Sequence, residues 1–236
     1  AYEICACLVG AEMCIRDSCR QGDKILIGRN CHKAVYNCIR LLQLEAVYCY
    51  ADVSAEYDIC EDMKPEAVAR ELRANPDIKA VVLTSPTYEG VVSDIAGIKE
   101  VTRPYAIPLI VDEAHGAHLE YADQCHSFPK SALEYGADIV IQSLHKTLPC
   151  FTQTAILHVK GKLVDQDRIS RYLSMFQTSS PSYLFMAGME RCIRYMDGDG
   201  RNEMIRYEKR LERFMERMEG LQVLEAVSYT HLTLPT

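Results

Sequence analysis

Short apolar runs alternate with amphipathic stretches along most of this chain. Lys24–Gly28, Ala46–Tyr50, Ala80–Thr84, Pro108–Val111 and Ile139–Ile141 are each of strand length and rich in β-branched or leucine side chains. Between the first two, Val35, Cys38, Ile39 and Leu42 recur at helical spacing, and Asn30 is placed to cap that helix. Pro65 suits the first position of a helix running to about Ala74. Asp94 caps a helix that ends before Pro104, and a short helix is expected around Ser131–Tyr135. This alternation predicts an α/β fold: a mostly parallel sheet with helices on both faces. Gln153–Val159 follows its neighbour too closely for a helical crossover, so it is expected to be the one antiparallel strand. From Asp165 onward the chain turns helical. Met204, Tyr207, Leu211, Phe214 and Met218 repeat at three- and four-residue steps and predict a packing face.

The pattern assigns a major domain to residues 19–200. A helix and strand over 201–226 lead towards a further domain. Cys7 to Ser18 (CLVGAEMCIRDS) and Val227 to Thr236 (VSYTHLTLPT) follow neither period and resemble translated sequencing-adapter DNA. Residues 1–18 and 227–236 are therefore expected to be non-native ends, set aside as a tag would be, with the natural protein continuing in both directions.

Composition narrows the function classes. A net charge of −7 over 236 residues argues against nucleic acid or an anionic membrane as the main partner. No apolar stretch is long enough to span a bilayer, and none has the layout of a signal peptide. The 11 cysteines include no C-x-x-C pair. Reduced, buried thiols in a cytoplasmic protein are the expectation, with a catalytic cysteine the lesser alternative.

Candidate chemistry gathers at predicted strand ends. In an open α/β sheet, ligands bind beyond the carboxyl ends of the strands. Four polar clusters fall there: Arg29–Lys33, Thr84–Tyr88, Asp112–His115 and Ser143–Lys146. Of the lysines, Lys146 alone follows a buried strand through Ser-x-His. Partial burial lowers a lysine pKa and makes its amine nucleophilic toward an aldehyde. Asp112 ends the run Pro-Leu-Ile-Val, where a carboxylate is costly unless paired. A protonated pyridine nitrogen is one suitable partner; capping the turn at Ala114–Leu119 is another use. A Schiff-base lysine and a ring-nitrogen aspartate together point to pyridoxal 5'-phosphate (PLP). His32 could stack on the ring or face water at a helix entry. Ser143 and His145 could bond a phosphate.

Other motifs fail. Asp112-Glu113-Ala114-His115 reads as a helicase box, but no G-x-x-x-x-G-K-[ST] loop accompanies it. H-E-x-x-H and G-x-S-x-G are absent. His115 and His118 could share a helical face as metal ligands, but no third ligand follows at a clear spacing, so no metal is expected.

The pieces GRNCHKAVYN, LTSPTYEGVVSDI, PLIVDEAHGAH, ADIVIQSLHKTLPCFTQTAILH and FQTSSPSYLFMAGME resemble the Orn/Lys/Arg decarboxylases, a PLP-dependent fold-type-I family. The resemblance covers about residues 19–226, and the pair SLHKTL plus DEAHGAH is specific. It implies a domain like the aspartate aminotransferase major domain, and decarboxylation of arginine, lysine or ornithine to an amine. By resemblance, Lys146 carries the cofactor, Asp112 holds its ring nitrogen and His32 stacks on the ring. Ser143 and His145 lie at the phosphate side, with Thr84 and His115 nearby. Ser179-Ser180-Pro181-Ser182 is similar to a segment near a dimer-interface active site, so a homodimer or higher homo-oligomer is implied. The family's Gly-Ser-Thr-rich phosphate turn should lie just before Cys19–Asp23, and CLVGAEMCIRDS stands there instead. That departure puts PLP binding by this stretch of chain in doubt. Another fold-type-I chemistry, an aminotransferase or aldolase-type lyase, and an inactive fragment remain alternatives.

Overall fold

The computed structural model describes residues 4–6 and 15–217. Residues 1–3, 7–14 and 218–236 lie outside the described part. So do Met218, the strand expected before residue 226, and the expectations for 7–14 and 227–236.

The strands are β1 (Ile4–Ala6), β2 (Lys24–Gly28), β3 (Glu45–Cys49), β4 (Ile78–Thr84), β5 (Leu109–Asp112), β6 (Ile139–Ser143) and β7 (Thr154–Val159). The helices are α1 (Lys33–Leu42), α2 (Pro65–Ala74), α3 (Ile95–Thr102), α4 (Leu144–Thr147), α5 (Gln166–Phe176), α6 (Tyr183–Tyr195) and α7 (Arg201–Arg217). All seven strands form one sheet in the order β1-β7-β6-β5-β4-β2-β3. Strands β2 to β6 pair in parallel, and β7 runs antiparallel to both β6 and β1. The expected α/β architecture with one antiparallel strand is what forms.

Alternation along the strands explains why both faces need helices. Ile25, Ile27, Ala80, Val82, Ile110, Ile139 and Ile141 enter one core with Val35 and Cys38 of α1 and Ile169 and Leu173 of α5. The residues between them, Leu26, Val81, Leu83, Leu109, Val111 and Val140, enter a second core with Val68 and Leu72 of α2 and Ile95 and Ile98 of α3. Each fully buried Val, Leu or Ile contributes about 1.5–3 kcal/mol, which a one-sided sheet would forfeit on its open face. A third cluster sits beyond the strand ends. It packs Leu144 and Leu148 against Met189, Cys192 and Met196 of the α6 region, and against Met204 of α7.

Several local expectations change. The N-cap of α1 is His32, not Asn30: Asn30 lies in the turn closed by Cys31 N–H to Gly28 O, and His32 Nδ1 accepts from Ala34 N at 3.2 Å. No helix forms at Ser131–Tyr135; turns do, closed by Glu134 N–H to Ser131 O at 3.0 Å and Gly136 N–H to Leu133 O at 3.2 Å. Residues 15–18, in the stretch without a clear period, form a helical turn whose Ile15 is fully buried in the first core. The packing face of α7 holds for Met204 and Tyr207, which join the third cluster, but Phe214 is 57% exposed. Helices α6 and α7 are joined through the wide turn Met196–Gly200, where Gly198 leaves helical geometry (φ −101°, ψ −106°).

Candidate active site

Four parallel strands deliver the four polar clusters to one edge of the sheet. Thr84 ends β4 opposite Asp112, the last residue of β5, and Asp112 in turn faces Ile141 of β6. Gly28 ends β2, and His32 enters α1 four residues later. Ser143 ends β6 and opens α4, which carries His145 and Lys146. This follows directly from strand polarity: in a parallel sheet every carboxyl end lies on the same side.

Lys146 and His115 meet at the centre, with Nζ and Nε2 3.0 Å apart. Burial lowers the Lys146 pKa, and Asp112 partly opposes the shift. His115 is pushed down to about 4, first by burial and then by the neighbouring lysine. It is therefore neutral near pH 7, and its Nε2 can accept a hydrogen bond from the Lys146 amine. Tyr88, otherwise exposed, closes over His115 with its ring edge-on at 5.6 Å.

Asp112 is 8% exposed. Burial raises its pKa, and the Ala114 N–H bond and the charges of Lys146 and His32 pull it partly back. The Ala114 N–H donates to Oδ1 at 3.2 Å, so the turn-capping use expected of this carboxylate is present. Thr84 Oγ1 is buried without a hydrogen-bond partner. A buried hydroxyl left so is uncommon and marks a place for a polar group.

The remaining expected residues are placed as follows. His32 is exposed at the mouth, within electrostatic reach of Asp112. His145 has Nδ1 2.9 Å from Thr154 O, which fixes its ring against β7. Ser143 makes no side-chain cap to α4. Arg29 lies to one side, its guanidinium donating to Tyr36 Oη at 2.6 Å and stacked over Tyr48 at 5.8 Å. Ser179–Ser182 is exposed, and Ser182 caps α6 through Phe185 N. His115 and His118 diverge, His118 turning to the Phe128 ring at 5.7 Å.

Among the buried carboxylates not singled out by pattern are Glu113 and Glu208. Glu113 follows Asp112 but lies in a buried network of its own. Glu208 of α7 accepts from His126 N and Ser127 N, both at 2.7 Å. Alternation carries the only signal for Glu113: consecutive residues at a strand end face opposite ways, so a second buried carboxylate needs partners of its own. Nothing local marks Glu208.

The fold and the site together define an α/β domain with a lysine in contact with a histidine, and a buried aspartate, at its strand ends. Residues 6–234 match the family described as Orn/Lys/Arg decarboxylase, major domain, and the chain belongs to that family. It is 39% identical over 215 residues to the uncharacterized protein YaaO of Bacillus subtilis, covering 91% of this chain and 43% of that protein. It is 33% identical over 206 residues to an arginine decarboxylase of the same organism, covering 86% of this chain and 41% of the relative. The chain thus spans less than half the length of these relatives. Among solved structures, the constitutive lysine decarboxylase of E. coli superposes with a TM-score of 0.71 at 19% identity, over 96% of this chain and 35% of that one.

Proposed function

We propose that the protein to which this chain belongs decarboxylates a basic amino acid using PLP held at the Lys146–Asp112 edge. The observation that carries the reading is the convergence of Lys146, its amine 3.0 Å from His115, a buried aspartate and an unpartnered Thr84 hydroxyl on one sheet edge. These residues fit the cofactor. Lys146 Nζ would hold it covalently, Asp112 would hold its ring nitrogen, and His32 is placed to cover one ring face. Ser143 and His145 would lie at the phosphate, with the Thr84 hydroxyl and His115 beside it. When bound, the cofactor supplies an electron sink for the bond to the departing carboxylate.

The chain's own residues do the rest. His115, kept neutral by burial and by its cationic neighbour, is placed to accept a hydrogen bond from Lys146 Nζ and so orient the amine. Asp112 stays buried, so that when a cation meets it the pairing is strong. Family membership and the arginine decarboxylase relative support a basic amino acid as substrate. Exposed Tyr183, Leu184 and Phe176 support a covering partner, and we infer a homodimer or higher homo-oligomer. The eight described cysteines are free thiols, which supports a cytoplasmic setting. No described helix is long and apolar enough to cross a membrane.

The test supplies carboxyl-labelled arginine, lysine and ornithine in turn with PLP. Labelled carbon dioxide from one of the three, lost in Lys146→Ala, is the expected outcome. Formation of a 2-oxo acid without carbon dioxide would favour transamination and overturn the proposal.

A further inference from the structure

Beyond the strand ends the sheet continues as a side-chain clasp. The last backbone bond between β5 and β6 on this side is Glu113 N–H to Ile141 O at 2.9 Å. From there Glu113, 1% exposed, takes over with both carboxyl oxygens. Its Oε1 accepts from Ala132 N at 2.7 Å. Its Oε2 accepts from Ser131 Oγ at 2.8 Å and from Gln142 Nε2 at 2.7 Å. Gln142 Oε1 then meets His158 Nε2 of β7 at 3.0 Å. One buried chain therefore ties β5, the turn at 131–137, β6 and β7 together just behind the edge.

Its two central members are close in sequence to the expected site residues. Asp112 precedes Glu113, and Lys146 follows Gln142 by four residues. Gly116 lets the clasp close: a Cβ there would stand 2.5 Å from Glu113 Cγ and 2.9 Å from Pro86 Cδ.

We propose that Glu113 is a positioning residue: through Gln142 it ties the β5 end to the β6 end and so fixes the spacing of Asp112 and Lys146. This rests on the reading that those two residues form the site. A carboxylate suits the task because a single group satisfies three donors, and the amide of Gln142 fixes which way the chain of bonds runs.

The test is the pH midpoint for acylation of Lys146 Nζ, followed by peptide mass spectrometry without cofactor. In Glu113→Ala the tie between the β5 and β6 ends is lost, and Asp112, whose charge raises the Lys146 pKa, is held less closely to the amine. Its midpoint should then fall by roughly half to one pH unit, because less of the opposing carboxylate charge reaches it. The swapped pair Glu113→Gln with Gln142→Glu restores one carboxylate facing one amide and should restore the wild-type midpoint. Circular dichroism establishes that each variant is folded; if Glu113→Ala is not, Glu113→Gln is compared with the swap instead. An unchanged midpoint in a folded variant, or a swap that restores nothing, overturns the proposal. Because this readout needs no cofactor, it fails or succeeds separately from PLP capture by the wild-type chain.

Discussion

Replacing Gly116 with alanine is a sharp test of how the site edge is packed. Gly116 has φ −117° and ψ 13°, a conformation open to any L residue, so backbone strain contributes little. The added methyl would lie 2.5 Å from Glu113 Cγ, 3.1 Å from Glu113 Cδ and 2.9 Å from Pro86 Cδ. Neither neighbour yields easily: Glu113 is held by three hydrogen bonds, and the Pro86 ring is rigid. Overpacking of this kind costs about 1–3 kcal/mol. For a domain of this size that is about 2–12 °C in Tm. Thermal unfolding by circular dichroism reads it directly. Combining Gly116→Ala with Glu113→Ala removes most of the clash, so the double variant should be more stable than the sum of the two single losses by about 1 kcal/mol or more. Strict additivity, or a single variant as stable as wild type, would refute the close-approach reasoning.

Three further outcomes follow from buried ionisable groups. His118 is pushed from 6.5 down to about 4 by burial, so its stability contribution is present above pH 6.5 and is lost as pH falls toward 4. That gap is worth about 3 kcal/mol; His118→Phe should flatten urea-midpoint curves over this interval, and an unchanged slope would contradict the assignment. For Glu208, burial raises the pKa but the bonds from Ser127 and His126 outweigh it and hold the carboxyl below 4.5. Its contribution is thus present above pH 4.5 and lost below. Glu208→Ala leaves two N–H groups unpaired and should cost roughly 2–4 kcal/mol by urea titration. Lys99 Nζ meets Asp138 Oδ2 at 2.5 Å, and Asp138 also accepts from Leu109 N. Lys99→Met strands that buried carboxylate and should cost about 3–5 kcal/mol, whereas a loss below 1 kcal/mol would show the pair to be solvated.

Much of this fold is written in local pattern. Continuous apolar runs gave the central strands within about two residues, because a strand buried on both faces has no polar alternation to blur it. Thr154–Val159 was legible as antiparallel because the link from β6, which holds α4, is too short for a crossover, α4 being four residues long. Pattern fails where tertiary partners decide. Ser131–Tyr135 has helical composition, yet it forms turns docked on Glu113, eighteen residues earlier. His32 displaces Asn30 as a cap because the turn after β2 is one step longer than the spacing suggests. Strand β1 pairs only with β7, far along the chain, and three residues carry no period of their own.

The site was legible for the same reason as the strands: polarity alone brings Thr84, Asp112, His115 and Lys146 to one edge. The direct Lys146–His115 contact, and the clasp by Glu113 behind it, depend on side-chain directions that spacing does not encode.

The most direct measurement is reductive trapping. The chain is incubated with PLP, reduced with borohydride and mapped by peptide mass spectrometry beside Lys146→Ala and Asp112→Ala. A phosphopyridoxyl group on Lys146, absent from Lys146→Ala and weakened in Asp112→Ala, is the expected result. Label scattered over surface lysines, or equal capture in Asp112→Ala, would contradict a site built on those two residues.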